Sequence, residues 1–174
     1  MPTVRLAAAA LAASLALAPA LARAQAPWDI AKKTAGKATV GSLEKEINKR
    51  LLEEGRKNQC SFKSDSDALA PGCDAKAQRL AKSLIDAKKK LDGAGVQNFR
   101  FVVSGHTDTT GSASHNKELS AKRAAVMVKQ LVAHGVPAAE IESVGMGSER
   151  PLVKPDDTPA KKAKNRRYEV EVKL

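Results

Sequence analysis

Apolar positions along this chain recur with a period near four in some stretches and near two in others, and the switches between periods mark its elements. In "VGSLEKEINKRLLEEGRKNQ", Val40, Leu43, Ile47 and Leu51 fall at steps of three and four with charge on the opposite face. That spacing predicts an amphipathic helix over 40–57, with Ser42 as its N-cap and Gly55 as its stop. A short strand over 60–62 and a polar loop follow in "QCSFKSDSDALAPGC". "CDAKAQRLAKSLIDAKKKLDGAG" is again helical: Ala77, Leu80, Leu84, Ala87 and Leu91 form its stripe, Asp74 lies near its start, and Gly93 or Gly95 ends it. The period then drops to two in "QNFRFVVSG", with Phe99, Phe101 and Val103 on one face and Val102 on the other. "NKELSAKRAAVMVKQLVAHGVP" returns to helix through Leu119, Ala124, Met127, Val128 and Leu131, and closes at Gly135 and Pro137. "AEIESVGMG" predicts a strand with Ile141 and Val144 leaning inward. "SERPLVKPDDTPAKKAKN" reads as a Pro-rich basic loop, and "RRYEVEVKL" sets Tyr168, Val170, Val172 and Leu174 against charge, as a half-buried last strand does.

The predicted order is β-α-β-α-β-β. Strands spaced by helices pack as an α+β, two-layer sandwich: a mixed parallel and antiparallel sheet with two helices on one face. No internal repeat is visible. Residues 25–39, "QAPWDIAKKTAGKAT", lack periodicity and are expected to be a flexible lead-in. For the helix over 40–57 two uses stay open, packing on the domain or recruiting a protein partner.

Before the lead-in, Arg5 precedes an Ala/Leu run over 6–18, a Pro19, and small residues at Ala22 and Ala24. This is the layout of a secretory signal peptide over 1–24, cut after Ala24. The alternative is an uncleaved anchor, for which the run is short and Ala-rich. Gln25, rather than Cys, follows the expected cut, so no lipid anchor is expected. The mature chain should be exported, without a transmembrane segment. Export bears on Cys60 and Cys73, the two cysteines among 174 residues. In an oxidising compartment an even pair reads as one disulfide, the alternative being two buried thiols. Structural zinc wants four ligands, and no His lies near either Cys in sequence.

The formal net charge of +11 points to an acidic or phosphate-bearing partner. Nucleic acid fits poorly, since aromatic residues make up 3% and base stacking needs them. Anionic polymers of the envelope fit the compartment better.

Candidate chemistry concentrates in "SGHTDTTGSASHNKELSAKRAA". Asp108 lies in the turn after a strand, where sites are commonly built. Asn116, Ser120 and Arg123 follow at steps of four and three, on one helix face leaning back toward that turn. A carboxylate, an amide and a guanidinium together suit a zwitterion: Asp108 for an ammonium, Arg123 for a carboxylate held by two hydrogen bonds. On spacing alone, an Asp108–Arg123 ion pair that merely ties the turn is an equal alternative. His106 and His115 flank Asp108 and raise an enzyme reading. With no HExxH, GxSxG or phosphate loop in the chain, no catalytic residue, metal or cofactor is expected.

These same residues carry a resemblance. Gly-x-Thr-Asp ending at Asp108, then Gly111, Asn116, Leu119-Ser120, Arg123-Ala124, the Gly-x-Gly at 145–147, and Asn165-Arg166-Arg167 before the last strand resemble the OmpA-like C-terminal domain family, as in the OmpA, Pal and MotB periplasmic domains. The resemblance covers about 58–174. It implies a β-α-β-α-β-β sandwich and a non-enzymatic role: binding peptidoglycan non-covalently through the diaminopimelate of the stem peptide, in the periplasm of a Gram-negative bacterium, peripheral to the outer membrane. Carried over residue by residue, it implies that Asp108 takes the diaminopimelate amine and Arg123 a carboxylate, that Asn116 is the pocket amide, and that Thr107 and Leu119 line the walls. The family's first-loop acid falls on Asp65, in "FKSDSDAL", where Lys63 replaces a common Asp. Arg166 and Arg167 are candidates for the rim, with sheet-edge ion pairing as the plainer alternative. Cys60 and Cys73 would bracket and stiffen the first loop. The alternative function is a periplasmic scaffold that keeps the fold and recruits a protein through 25–57.

Overall fold

The computed structural model describes residues 27–63 and 65–174. The expected signal peptide and the first two residues of the lead-in lie outside this range. The elements are α1 (Pro27–Lys57), α2 (Cys73–Gly93), β1 (Arg100–His106), α3 (Ala113–Ala133), β2 (Ile141–Gly147), α4 (Pro159–Asn165) and β3 (Tyr168–Lys173), with a 3-10 turn at Ala138–Glu140 before β2. β1 is central: β2 runs parallel on one side and β3 antiparallel on the other. The result is the expected α+β class with a mixed sheet. Three long helices pack with it rather than two, since α1 joins α2 and α3.

Period two on β1 sends Phe101 and Val103 into the core, together with Tyr168, Val170 and Val172 of β3 and Ile141 of β2. The α2 stripe was legible in full: Ala77, Leu80, Leu84, Ala87 and Leu91 are all buried. Ile47 and Leu51 of α1 join the same cluster.

Several local expectations are corrected. α1 begins at Pro27, so most of the expected lead-in is helical. Its Ala and Lys residues favour helix intrinsically, and propensity needs no apolar stripe. Consequently Ser42 is mid-helix, its hydroxyl donating to the Thr39 carbonyl at 2.8 Å. The helix also runs through Gly55 and closes at Asn58, whose N–H and side-chain amide both donate to the Glu54 carbonyl.

The strand expected over 60–62 is absent among the described residues. Phe62 makes only a single antiparallel bridge to Leu69. The reason lies at the outer edge of β3, where α1 and the residues just after it supply side-chain amides instead of a strand. Asn48 donates to the Val172 carbonyl at 3.0 Å and accepts from its N–H at 2.7 Å. Gln59 does the same at Tyr168, at 2.8 and 3.2 Å. The backbone of the first loop pairs with itself, Lys63 N–H to Ala68 and Ala70 N–H to Ser61, both at 2.9 Å.

Val144 was expected inward, but it is 37% exposed. It is three residues from Ile141, and an odd step in a strand changes face. Leu174 likewise lies past the end of β3 and is exposed. Within the expected basic loop, α4 forms where Thr158 caps Lys161 N–H and Pro159 opens the first turn.

Cys60 and Cys73 are joined in a disulfide across the first loop. In the chain-entropy model, closing a loop of this length is worth about 3 kcal/mol. Reduction should therefore lower the urea midpoint, and so should the Cys60→Ala, Cys73→Ala pair. A midpoint indifferent to reductant would contradict a stabilising role for the bridge.

Candidate functional site

Two glycines bring α3 down onto the sheet. Gly105 and Gly145 are register partners on β1 and β2. A Cβ on Gly105 would stand 2.2 Å from the Ser120 carbonyl oxygen, and one on Gly145 would stand 2.6 Å from the backbone of Lys117 and Ala121. The helix is pinned there by Ser120, whose hydroxyl accepts from Gly147 N–H at 2.8 Å and donates to the Lys117 carbonyl. This close seat carries Asn116 and Arg123 to the mouth of β1, next to Asp108.

All eight expected site residues, Asp65, Thr107, Asp108, Asn116, Leu119, Arg123, Arg166 and Arg167, line one cleft of about 960 Å3. Their connections differ from the Asp108–Arg123 ion pair that stood as the alternative to a ligand seat. Asp108 bonds Arg166 at 2.7 Å, not Arg123, and its other carboxylate oxygen accepts from Thr110 N–H at 2.9 Å. Burial opposes charge on Asp108, but Arg166 and the Thr110 N–H outweigh it and hold the carboxyl below the usual range. Asn116 ties the turn, its amide donating to the Thr110 carbonyl at 2.9 Å and the Asp108 carbonyl at 3.4 Å.

Arg123 is 9% exposed and reaches across to the first loop. Its Nε donates to the Ser66 carbonyl at 2.9 Å and Nη2 to the Lys63 carbonyl at 3.3 Å. The guanidinium also sits 5.1 Å from the centre of the Phe62 ring. Burial and the neighbouring Arg166 draw its pKa down, though a guanidinium stays charged at any working pH. Among the described residues, no carboxylate is in ion-pair contact with it.

Asp65 and Arg167 lie at the margins. Asp65 turns outward at φ 49°, its side chain 73% exposed and 2.7 Å from His115 Nε2. Arg167 is bound to the sheet edge, with Nε on Glu169 at 2.7 Å and Nη2 on the Arg150 carbonyl at 3.0 Å. That is the plainer alternative for this residue. Arg166 faces the cleft with its side chain 46% exposed. His106 is buried, and neither ring nitrogen nor the Thr107 hydroxyl has a hydrogen-bond partner among the described residues, though Nε2 lies 3.7 Å from Glu169 Oε2. Burial, then Arg167, pushes the His106 pKa down to about 4, so the ring is neutral at neutral pH.

Sequence reasoning missed the latch that holds the turn from behind. Asn165 is fully buried; it accepts from Leu152 and Val153 N–H and donates to the Val153 carbonyl and to Asp156 Oδ2 at 3.0 Å. Asp156 in turn accepts from Thr109 N–H at 2.9 Å and from the Thr109 hydroxyl. The signal was Asn165 itself, in a motif already noted for its arginines.

The hydrogen bonds from Thr109 and Asn165 hold the Asp156 pKa down at about 2, against an ordinary 3.8. A depressed folded-state pKa means the unfolded chain binds the proton first. The stabilisation is therefore complete above the ordinary value and is lost as pH falls toward 2. An NMR titration should show the Asp156 carboxyl changing near pH 2. Titration near the ordinary value would mean the latch is open in solution.

The site sits within a stretch with known relatives. Residues 61–166, more than half of the chain, match the model of the OmpA family. A peptidoglycan-associated lipoprotein of Rhizobium meliloti is 30% identical over 153 residues, covering 85% of this chain and 77% of that one. A peptidoglycan-binding protein, ArfA, of Mycobacterium tuberculosis is 45% identical over 73 residues; the match spans 42% of this chain and 22%, about a fifth, of that relative's length. Among solved structures, the periplasmic domain of Helicobacter pylori MotB aligns at a TM-score of 0.54 with 26% identity, covering 65% of this chain and 69% of that one. The chain belongs to the OmpA family.

Proposed function

We propose that this protein binds peptidoglycan non-covalently in the periplasm, holding the diaminopimelate of a stem peptide between Asp108 and Arg123, and so links envelope components to the cell wall. One observation carries the reading: Arg123 is a buried guanidinium whose described partners are neutral carbonyls. A buried charge is costly without a counter-charge, and a ligand carboxylate at the open side of the fork supplies one. Asp108, kept ionised, offers the opposite charge across the same cleft. An amino acid with an ammonium and a carboxylate at one centre satisfies both. The relatives described as peptidoglycan-binding or peptidoglycan-associated support the polymer, and the MotB periplasmic domain supports the compartment.

The rival use of residues 40–57 as a partner helix is weakened by where they lie. Ile47 and Leu51 are spent on the core and Asn48 on the edge of β3. The test is co-sedimentation with isolated diaminopimelate-type sacculi, with free meso-diaminopimelate as competitor. Retention that diaminopimelate reverses and lysine does not is the expected result. No retention, or retention that neither displaces, would sink the proposal.

A further inference from the structure

The cleft is far more basic than one ammonium and one carboxylate require. Arg56 from the end of α1, Lys63 from the first loop, and Lys162 and Lys164 from α4 also line it. Among the described residues none of these four pairs with a carboxylate. Each lining acid already has a cationic or histidine partner: Asp65 with His115, Asp108 with Arg166, and Glu169 with Arg167. The unpaired charges thus share one concave surface with Asp108 and Arg123, where they add to a positive field rather than cancelling.

We infer that α4, the end of α1 and the first loop form a cationic subsite beside the Asp108–Arg123 seat, which takes further carboxylates of the same peptide. The inference rests on the reading of that seat given above. Its consequence is selectivity: the cleft favours stem peptides whose carboxyl groups are free over peptides in which they are amidated. Amidation removes the charge and leaves the backbone unchanged, so the preference reports the subsite alone. The cations are exposed or half-buried and water screens them. The discrimination is therefore modest, about threefold for one carboxylate, and falls with added salt.

Calorimetric titration with two synthetic tripeptides tests this. Both are L-Ala–γ-D-Glu–meso-diaminopimelate; one has every carboxyl free and the other is amidated only at the glutamate α-carboxyl. Wild type should bind the free acid about threefold more tightly in low salt. Arg56→Gln, Lys63→Gln, Lys162→Gln, Lys164→Gln, which removes all four cations, should bind both peptides equally, with its thermal transition unchanged. Equal wild-type affinities, both abolished by Asp108→Ala, would overturn the subsite and leave the seat standing. Binding of neither peptide, or of both regardless of Asp108→Ala, would overturn the seat and the subsite together. Inorganic polyphosphate that matches the free acid and ignores Asp108→Ala would reassign the cations to a phosphate polymer and overturn the inference.

Discussion

Asp108→Ala and Arg123→Ala are each expected to abolish retention on isolated sacculi, but with different effects on stability. Asp108 gives up an ion pair to an arginine that is already half in water, and a Thr110 N–H that water can reach. Removing the mostly buried carboxylate leaves Arg166, 46% exposed, to water and leaves no buried charge unpaired, so the loss should be about 1 kcal/mol. The thermal transition of Asp108→Ala should therefore stay close to wild type. Arg123→Ala removes two charge-assisted hydrogen bonds and the contact with Phe62, and frees the carbonyls of Ser66 and Lys63. That should cost about 2 kcal/mol and lower the midpoint visibly. A variant that binds less because it is partly unfolded would confuse the result, so Arg123→Lys separates the two effects. Lysine keeps the charge but lacks the planar fork that grips a carboxylate with two bonds. It should fold, and still bind at least tenfold more weakly, the effect of losing roughly 1.4 kcal/mol. Wild-type retention by Asp108→Ala or by Arg123→Lys would remove that residue from the site. Because its partners hold the Asp108 carboxyl below the ordinary range, wild-type retention should also survive acidification that half-protonates a free aspartate.

The helical spacing of Asn116, Ser120 and Arg123 was enough to group them, because three residues on one face stay together wherever the helix goes. It was not enough to identify their partners. Ser120 belongs to the sheet, through Gly147, and Arg123 to the first loop, through two carbonyls that no side-chain pattern announces. Asp108 found Arg166, 58 positions away, as its ion partner. Burial patterns were legible wherever a stripe or an alternation ran for several turns, as in α2 and β3. They failed at 60–62, where Cys60 and Phe62 alternate with Ser61 as in a strand but the edge they would join is closed by Asn48 and Gln59. Edge capping by amide side chains leaves no periodic trace, so propensity alone could not expose it.

Gly105→Ala should be the most damaging single methyl in the domain. Its Cβ would fall 2.2 Å from the Ser120 carbonyl oxygen and 3.0 Å from the carbonyl carbon, and both are helix backbone that no rotamer change can move. Relief requires α3 to lift, yet α3 is held to β2 by the Ser120–Gly147 bond and by the close approach at Gly145, where a Cβ would stand 2.6 Å from the helix backbone. Overpacking a well-packed interior costs typically 1–3 kcal/mol and more where backbone must shift, so a loss of at least about 3 kcal/mol is expected in urea. The same lift carries Asn116 and Arg123 away from Asp108, so molecules that remain folded should bind sacculi poorly. Gly93→Ala is the control. A Cβ there meets nothing within 4 Å at the last residue of α2, and alanine favours helix, so stability should hold or rise by up to about 1 kcal/mol. If Gly105→Ala unfolds at the wild-type urea concentration, α3 does not rest on the sheet as closely as the glycine pair implies. The seat that brings Arg123 to Asp108 would then need another origin.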